Sequence, residues 1–409
     1  MALRPYHAPL ALSGALAGYR ALELGDGPAM LCGKLLADHG ADVVKIEPPG
    51  GDAARRRGPF QADCPDPERS LTFAYYHANK RSLTLELGNA DGREIFRALV
   101  ARSDILVESW PPGRLDELGL GYETLREVNP RLVMASVTAF GQTGPRRHYR
   151  GPDAIPFAMG GLMYISGNPE GPPIVGPGQQ GFDMAAVHAA FAILIALYHR
   201  KGSGQGQQID VAVQEVVAHE EHTISRYALD SHIVAREGSQ HGASAPARIY
   251  PCQDGFIHIF TGERWRDILQ WIGNPPELQD EVWDQAHFRR ANVDVVNPFL
   301  EAFFRQHTVA EVVEQAQARR IPCTPVNTVG AAIESEHLQQ RRYLAEVEHP
   351  VLGRYRAPGA PFRLSAAPWC GGTDPRPAPL LGQHNEEICC GELGYSREDL
   401  VILRETGAI

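Results

Sequence analysis

Asp183 is the residue in this chain best placed to act as a nucleophile. It stands in Gly181-Phe182-Asp183-Met184-Ala185-Ala186-Val187-His188, and the apolar run continues through Phe191, Ile193, Leu194, Leu197 and Tyr198. The pattern predicts a buried helix starting at Asp183. A carboxylate there faces exposed backbone N–H groups and the positive end of the helix dipole. Both favour its charged form and can aim it. The same position suits a purely structural role, because Asp is a preferred N-cap residue. On local sequence the cap reading is the stronger of the two, and the rest of the chain must decide between them.

Other chemistry-bearing patterns are weaker. Gly25-Asp26-Gly27 follows an expected strand and opens an expected helix, with Glu47 ending the next strand. This partly imitates a dinucleotide-binding fingerprint. Met30 stands where the third glycine belongs, so the glycines read better as a tight turn that lets a ligand approach the backbone. Gly202-Ser203-Gly204-Gln205-Gly206 ends a helix instead of starting one, so it presents no helix N-terminus to a phosphate. The seven cysteines are irregularly spaced and form no CxxC pair, so they suggest neither a zinc site nor a disulfide framework. Reduced thiols in a cytosol fit them best.

The elements that must position Asp183 follow from the rest of the chain. A length of 409 residues leaves room for two domains or more. Hydrophobic content of 43% and charged content of 22% are ordinary for a soluble globular protein. The net charge of −10 argues against a general nucleic-acid binder and leaves room for a local basic pocket. The N-terminal Ala- and Leu-rich stretch, broken by Pro9 and Ser13, reads as a leader arm and not a targeting signal. The longest apolar run, Ala185–Tyr198, contains His188 and is too short to span a bilayer.

The first half alternates strand and helix. Strands are expected at Ala21–Leu24, Ala41–Glu47, Ser82–Leu87, Ile105–Glu108 and Leu132–Ser136. Helices are expected at Met30–Asp38, at Asp91–Arg102 with Asn89 as cap, and at Tyr122–Val128. Such alternation implies a mostly parallel sheet with helices on both faces, and ligands at the carboxyl ends of its strands. Ala139–Gly181 is rich in Gly and Pro and reads as an ordered active-site loop region. After the long helix comes a strand at Gln208–Val213, then a polar linker with helical content, 216–242. A smaller α+β domain is expected over 243–330. It opens with a hairpin of Ala247–Tyr250 and Gly255–Phe260 and continues with helices at Trp265–Trp271, Val295–Gln306 and Val309–Arg319. Residues 331–409 are a return linker and a C-terminal part of the large domain, which begins as 1–215. They carry strands near Leu344–Glu348 and Ala360–Leu364 and helical material over Asn385–Leu403.

Several ordered segments resemble one family. They include Leu35-Leu36-Ala37-Asp38-His39-Gly40-Ala41-Asp42-Val43-Val44-Lys45-Ile46-Glu47, Asn79-Lys80-Arg81-Ser82, Leu118-Gly119-Leu120-Gly121-Tyr122 and Asn129-Pro130-Arg131-Leu132-Val133. Phe140-Gly141-Gln142-Thr143-Gly144-Pro145, Gly204-Gln205-Gly206-Gln207 and Pro379-Leu380-Leu381-Gly382-Gln383-His384 continue the series. Over nearly its whole length the chain resembles the class III CoA-transferases, of the CaiB/BaiF type, which include formyl-CoA and carnitine CoA-transferases. The resemblance implies a Rossmann-like α/β large domain built from both chain ends, a smaller inserted domain and an interlocked homodimer. It implies transfer of CoA from an acyl-CoA to a free carboxylic acid, with CoA as part of the substrate and no tightly bound cofactor or metal. It gives Asp183 the position of the family's nucleophile and Asp153 an acidic position beside it. The alternative for Asp153 is an Asx turn after Pro152. Gly27, Pro28, Arg55, Leu85-Glu86-Leu87-Gly88, Ser109-Trp110-Pro111 and Arg150-Gly151-Pro152 match CoA-lining positions. For Leu85, Leu87 and Trp110, simple sheet packing is the alternative. Gly160-Gly161 and the 176–181 loop are candidate oxyanion donors.

The sequence departs from the family pattern at Pro48 and Glu117, where some relatives carry arginines for CoA, and at Ser109 and Pro28-Ala29-Met30. Arg55, Arg56 and Arg57 are candidates to compensate, unless they form an exposed charged loop. Two rival functions follow. One is an acyl-CoA racemase on the same fold, although its histidine position is occupied by Pro152. Glu263 resembles the racemase glutamate, and His148 is the nearest substitute base. The other is a non-catalytic CoA-binding subunit.

Overall fold

The computed structural model describes residues 14–220, 222–240, 245–367 and 375–409. The expected leader arm before residue 14, and Cys370, lie outside the described residues. Two compact units result. The large one takes 1–163, 176–231 and 341–409, and the small one takes 164–175 and 232–340.

The large unit is built on six parallel strands, β1 (Arg20–Leu24), β2 (Asp42–Glu47), β3 (Arg81–Thr84), β4 (Ile105–Glu108), β5 (Val133–Thr138) and β6 (Gln207–Ala212). Their order across the sheet is β3-β2-β1-β4-β5-β6, and every neighbouring pair is parallel. This is a doubly wound sheet whose order reverses between β1 and β4, the place where such sheets open a crevice at their carboxyl ends. The helices intervening in chain order are α1 (Pro28–Asp38), α2 (Leu71–Tyr76), α3 (Ala90–Val100), α4 (Arg114–Glu117), α5 (Tyr122–Val128), α6 (Ala154–Met159), α7 (Leu162–Ile165) and α8 (Gln180–Ser203). After β6 come α9 (Val213–His219) and α10 (Thr223–Asp230), both within the large unit.

Alternation of side chains along each strand divides the core into two layers. Ala21, Val43, Ile105 and Val107 pack beneath α1 and α8. Leu22, Val44 and Leu106 pack on the opposite face with Ile95, Phe96 and Leu99 of α3. Asn89 caps α3 by accepting the Asp91 N–H, as its sequence position implies. β3 stops at Thr84: the Leu85 N–H still donates to the Glu47 carbonyl, but the Glu86 N–H turns to the Ala408 carbonyl, while Leu85 and Leu87 stay buried.

α8 differs from expectation at its start. It begins at Gln180, three residues before Asp183, and is therefore 24 residues long. By length and composition alone such a helix could cross a membrane, but half of its most apolar stretch is buried within the protein. Ala185, Ala186, Ala189, Ile193, Ala196 and Leu197 face the core. Val187, Phe191, Leu194, Ile195 and Tyr198 face outward, Tyr198 being 78% exposed.

The C-terminal part adds an antiparallel hairpin, whose first strand is Leu344–His349 and second Gly353–Pro358. The strand expected at Ala360–Leu364 is therefore displaced toward the N-terminus. Pro361 lies within the expected segment, and proline cannot donate to a ladder. The final helical material is divided into a π-helical turn, Glu387–Glu392, and a helix, Arg397–Glu405, with a Ser396/Asp399 capping box. Both contribute to the second core layer, together with the buried Ala408 and Ile409.

The small unit has a three-stranded antiparallel sheet, Ala247–Pro251, Phe256–Phe260 and Cys323–Pro325, in that order. The first two strands form the expected hairpin. Helices at Trp265–Trp271, Val293–Phe304 and Val309–Ala318 cover it, and Trp265, Trp271, Leu300 and Phe304 anchor its core.

Candidate active site

The turn after β1 and the turn after β4 approach each other at the point where the sheet order reverses. Gly25 adopts φ +82°, and a Cβ there would lie 2.6 Å from Ser109 Oγ. Glycine is required for this approach. Lys45 Nζ donates to the Gly25 carbonyl and pairs with Asp52 at 2.6 Å, which fixes the turn from below. Ser109 Oγ donates to the Asp26 carbonyl, and the Trp110 N–H donates to Glu108 at 2.7 Å. Burial pushes the Glu108 carboxyl up to about 7.

These turns line a cavity of about 300 Å³. Of the residues singled out in the sequence, Gly27, Pro28, Ser109, Trp110, Pro111, Arg150, Gly151 and Pro152 meet there. Arg57, one of the triplet offered from sequence for CoA, lines it too, as do Asp26, Arg147, His148, Tyr149 and Phe182, which sequence reasoning had not assigned to it. Arg57 is held by Asp26 at 3.0 Å and donates to Gln179 Oε1 at 3.4 Å, which leaves its cation at the cavity wall.

Arg55, the member of the triplet chosen from sequence, lies elsewhere. It is wholly buried, paired with Glu47 at 2.7 Å and Glu68 at 2.8 Å, and donates to the Pro379 carbonyl. Its guanidinium also stacks 3.8 Å from the Phe73 ring centroid. These contacts occupy its charge, and Arg57 is the triplet member that reaches the cavity. Leu85 and Leu87 belong to the second core layer, which is the packing alternative. Glu86 is exposed and accepts the Gly88 N–H at 2.8 Å, and neither residue lines the cavity.

Asp183 stands next to the cavity-lining Phe182, inside the first turns of α8. Its own N–H donates to the Gln179 carbonyl at 2.9 Å, so Asp183 is already helical and Gln179 occupies the cap position. The capping oxygen comes from far away in sequence. Asp153 Oδ1 accepts the Phe182 N–H at 2.6 Å. Asp153 therefore forms no Asx turn, and it relieves Asp183 of the capping duty. A Cβ on Gly181 would lie 3.0 Å from this Asp153 oxygen and 3.3 Å from Val213, so glycine lets the strand of cap contacts close.

The Asp183 carboxylate instead accepts from the Tyr76 hydroxyl, 3.1 Å from each of its oxygens. Burial pushes the Asp183 carboxyl up to about 6, the Tyr76 hydrogen bond opposes this, and the Asp153 charge adds to it. Desolvation is the largest influence on this carboxylate and works against its charged form. At pH 7 the group is still mainly ionised. Burial also raises Asp153, against the N–H groups of Phe182 and Gly181. Tyr76 is raised by burial and by Asp183, so it keeps its proton. Sequence offered no signal for Tyr76, which is 107 positions from Asp183. Among the described residues no cluster of three or more His, Cys, Asp or Glu could hold a metal ion, and Cys32, Cys64, Cys252, Cys323, Cys389 and Cys390 are free.

A basic cavity at the switch point of a doubly wound sheet, beside a partly buried carboxylate, suits an anionic cosubstrate and a carboxylate reaction. Comparison with known proteins agrees. Residues 16–385 match the family model described as CoA-transferase family III. A formyl-CoA:oxalate CoA-transferase of Streptomyces coelicolor is 33% identical over 97% of this chain and 99% of that protein. A succinyl-CoA–D-citramalate CoA-transferase of Chloroflexus aurantiacus is 35% identical over 94% of this chain and 96% of its own length. The crystal structure of a CaiB/BaiF family protein from Brucella suis superimposes with a TM-score of 0.82 at 27% identity, covering 92% of this chain and 98% of that one. The chain belongs to CoA-transferase family III and is a CoA-transferase.

Proposed function

We propose that this enzyme transfers CoA from an acyl-CoA to a small carboxylic acid through covalent intermediates on Asp183. The observation that carries the reading is a desolvated carboxylate, held by one hydroxyl, adjoining a cavity edged with arginines. An Asp183 oxygen attacks the thioester carbonyl carbon, the C–S bond breaks, and CoA leaves as a thiolate. The mixed anhydride retains the activation of the acyl group, so no ATP is consumed. The thiolate then attacks the aspartyl carbonyl carbon and expels the donor acid, which leaves an aspartyl-CoA thioester. The acceptor carboxylate attacks this thioester and releases the thiolate again. Attack of the thiolate on the acceptor acyl carbon yields the new acyl-CoA and restores Asp183. No net proton is exchanged.

In this reading Arg57, Arg147 and Arg150 hold CoA phosphates by charge-assisted hydrogen bonds. Asp153 fixes the start of α8. The acids named for the relatives, formate, oxalate, succinate, citramalate, benzylsuccinate and malate, define the donors and acceptors to screen. The outward apolar residues of α8 support a homodimer, and the free thiols support a cytoplasmic setting. A CoA-exchange screen of acid pairs, followed by hydroxylamine trapping and peptide mapping, tests the mechanism. Modification of a peptide that lacks Asp183 would sink it. Solvent deuterium entering the acyl-CoA without an added acid would instead identify a racemase.

A further inference from the structure

Tyr76 has no role in the scheme above, yet its hydroxyl is bonded to the nucleophile itself. The residue ends α2, is only 9% exposed, and packs in a cluster with Met30, Ala54, Phe73 and Ala378. Ser70 caps α2 by accepting the Phe73 N–H, and the Tyr75 ring meets Tyr76 edge-on at 4.8 Å. The phenol is therefore a fixed donor and not a mobile surface group. Its hydroxyl is equidistant, at 3.1 Å, from both Asp183 oxygens.

That distance has a chemical consequence. In two of the four steps the carbon under attack is the Asp183 carboxyl carbon. The first is attack by CoA thiolate on the anhydride, and the second is attack by the acceptor carboxylate on the aspartyl-CoA thioester. In both, the electron pair displaced from the C=O bond settles on an Asp183 oxygen, the atom Tyr76 already contacts. We propose that Tyr76 is a catalytic oxyanion donor for the steps at the aspartyl carbonyl, and that it keeps its proton throughout. The bond to nucleophile or leaving group forms and breaks on the carbon, while the hydroxyl lends only a hydrogen bond that strengthens as the charge develops. This rests on Asp183 being the nucleophile. Attack on the incoming thioester places its oxyanion on a substrate oxygen, so that step depends on Tyr76 less.

The test is Tyr76→Phe, with Tyr75→Phe as a control. Tyr75 neighbours Asp183 electrostatically from the same helix, and Asp153 faces it from the segment before α6. Removing one oxyanion donor costs about 10²–10³ in turnover, and Tyr76→Phe is expected to lose that much while KM for acyl-CoA falls as the acylated enzyme accumulates. The initial release of CoA thiol should persist as a burst, and hydroxylamine should trap more acylated Asp183 than in the parent enzyme. The acid limb of the pH profile should move upward, because the lost hydrogen bond favours the Asp183 carboxylate. Tyr75→Phe should leave that limb in place. Unchanged turnover, or loss of burst and turnover in equal proportion, would overturn the proposal. If Tyr76→Phe does not fold, 3-fluorotyrosine at position 76 keeps the shape with a more acidic phenol. It should lower the acid limb, and an unmoved limb would overturn the proposal as well. Failure of the underlying mechanism is distinguishable, since the parent enzyme would then be labelled on a peptide without Asp183.

Discussion

Asp183→Asn is expected to abolish turnover and yet stabilise the protein at neutral pH. Burial holds the Asp183 carboxyl at about 6 in the folded chain, against 3.8 for the unperturbed group. That gap of roughly two pH units corresponds to ~3 kcal/mol at about 1.4 kcal/mol per unit. Part of the side chain meets solvent, and screening reduces this to about 1–2 kcal/mol. Well below pH 3.8 the group is protonated in both folded and unfolded chains and costs nothing. As pH rises from there, the unfolded chain ionises first, so the folded state loses stability until about pH 6 is passed. Asparagine is neutral throughout and escapes this loss. The variant should therefore match the parent near pH 3 and exceed it at pH 7.5, with a melting midpoint about 1–3 °C higher. Thermal and denaturant unfolding at both pH values measure this. A variant no more stable than the parent at pH 7.5, or an offset that does not depend on pH, would refute the claim that Asp183 is held charged against its desolvation.

Asp153→Ala should cost about 1–2 kcal/mol in denaturant unfolding through loss of the cap on α8. Asp153→Asn keeps an acceptor oxygen, should cost less, and should move the acid limb of activity downward because the charge that raises Asp183 is gone. The arginines of 55–57 should separate by readout. Arg57→Ala is expected to raise KM for acyl-CoA about 10-fold, the scale of one charged hydrogen bond, with little change in melting point. Arg55→Ala, by leaving Glu47 buried and unpaired, should cost about 3–5 kcal/mol of stability. Phe191→Glu on the outward face of α8 should halve the mass measured by light scattering if two chains meet there, and an unchanged mass would place the interface elsewhere.

Much of the large unit was legible because its signals are local. Tyr122–Val128 and Ile105–Glu108 fall where periodicity and flanking turns put them, and Asn89 caps α3 as its chemistry implies. The C-terminal hairpin was harder, since strand pairing there was decided by the proline at 361 and by the partner strand. The start of α8 was misread for a related reason. Gln180 and Gly181 are poor helix openers locally, and the helix extends through them because Asp153 supplies a cap from 29 positions away.

Sequence by itself determined the alternating β/α order, the two chemically pointed turns after β1 and β4 and the family, and it singled out Asp183 as the candidate nucleophile. These depend on side-chain period, glycine's conformational freedom and ordered motifs, all of which are written along the chain. Tertiary structure decided what each charged group does. Arg55, Arg56 and Arg57 are alike in sequence, yet burial assigns Arg55 to Glu47 and Glu68 while Arg57 reaches the cavity. Asp153 caps the helix, Asp183 is thereby left for Tyr76, and desolvation sets its ionisation. Distance and dielectric are properties of the packed chain, and no spacing along the sequence encodes them.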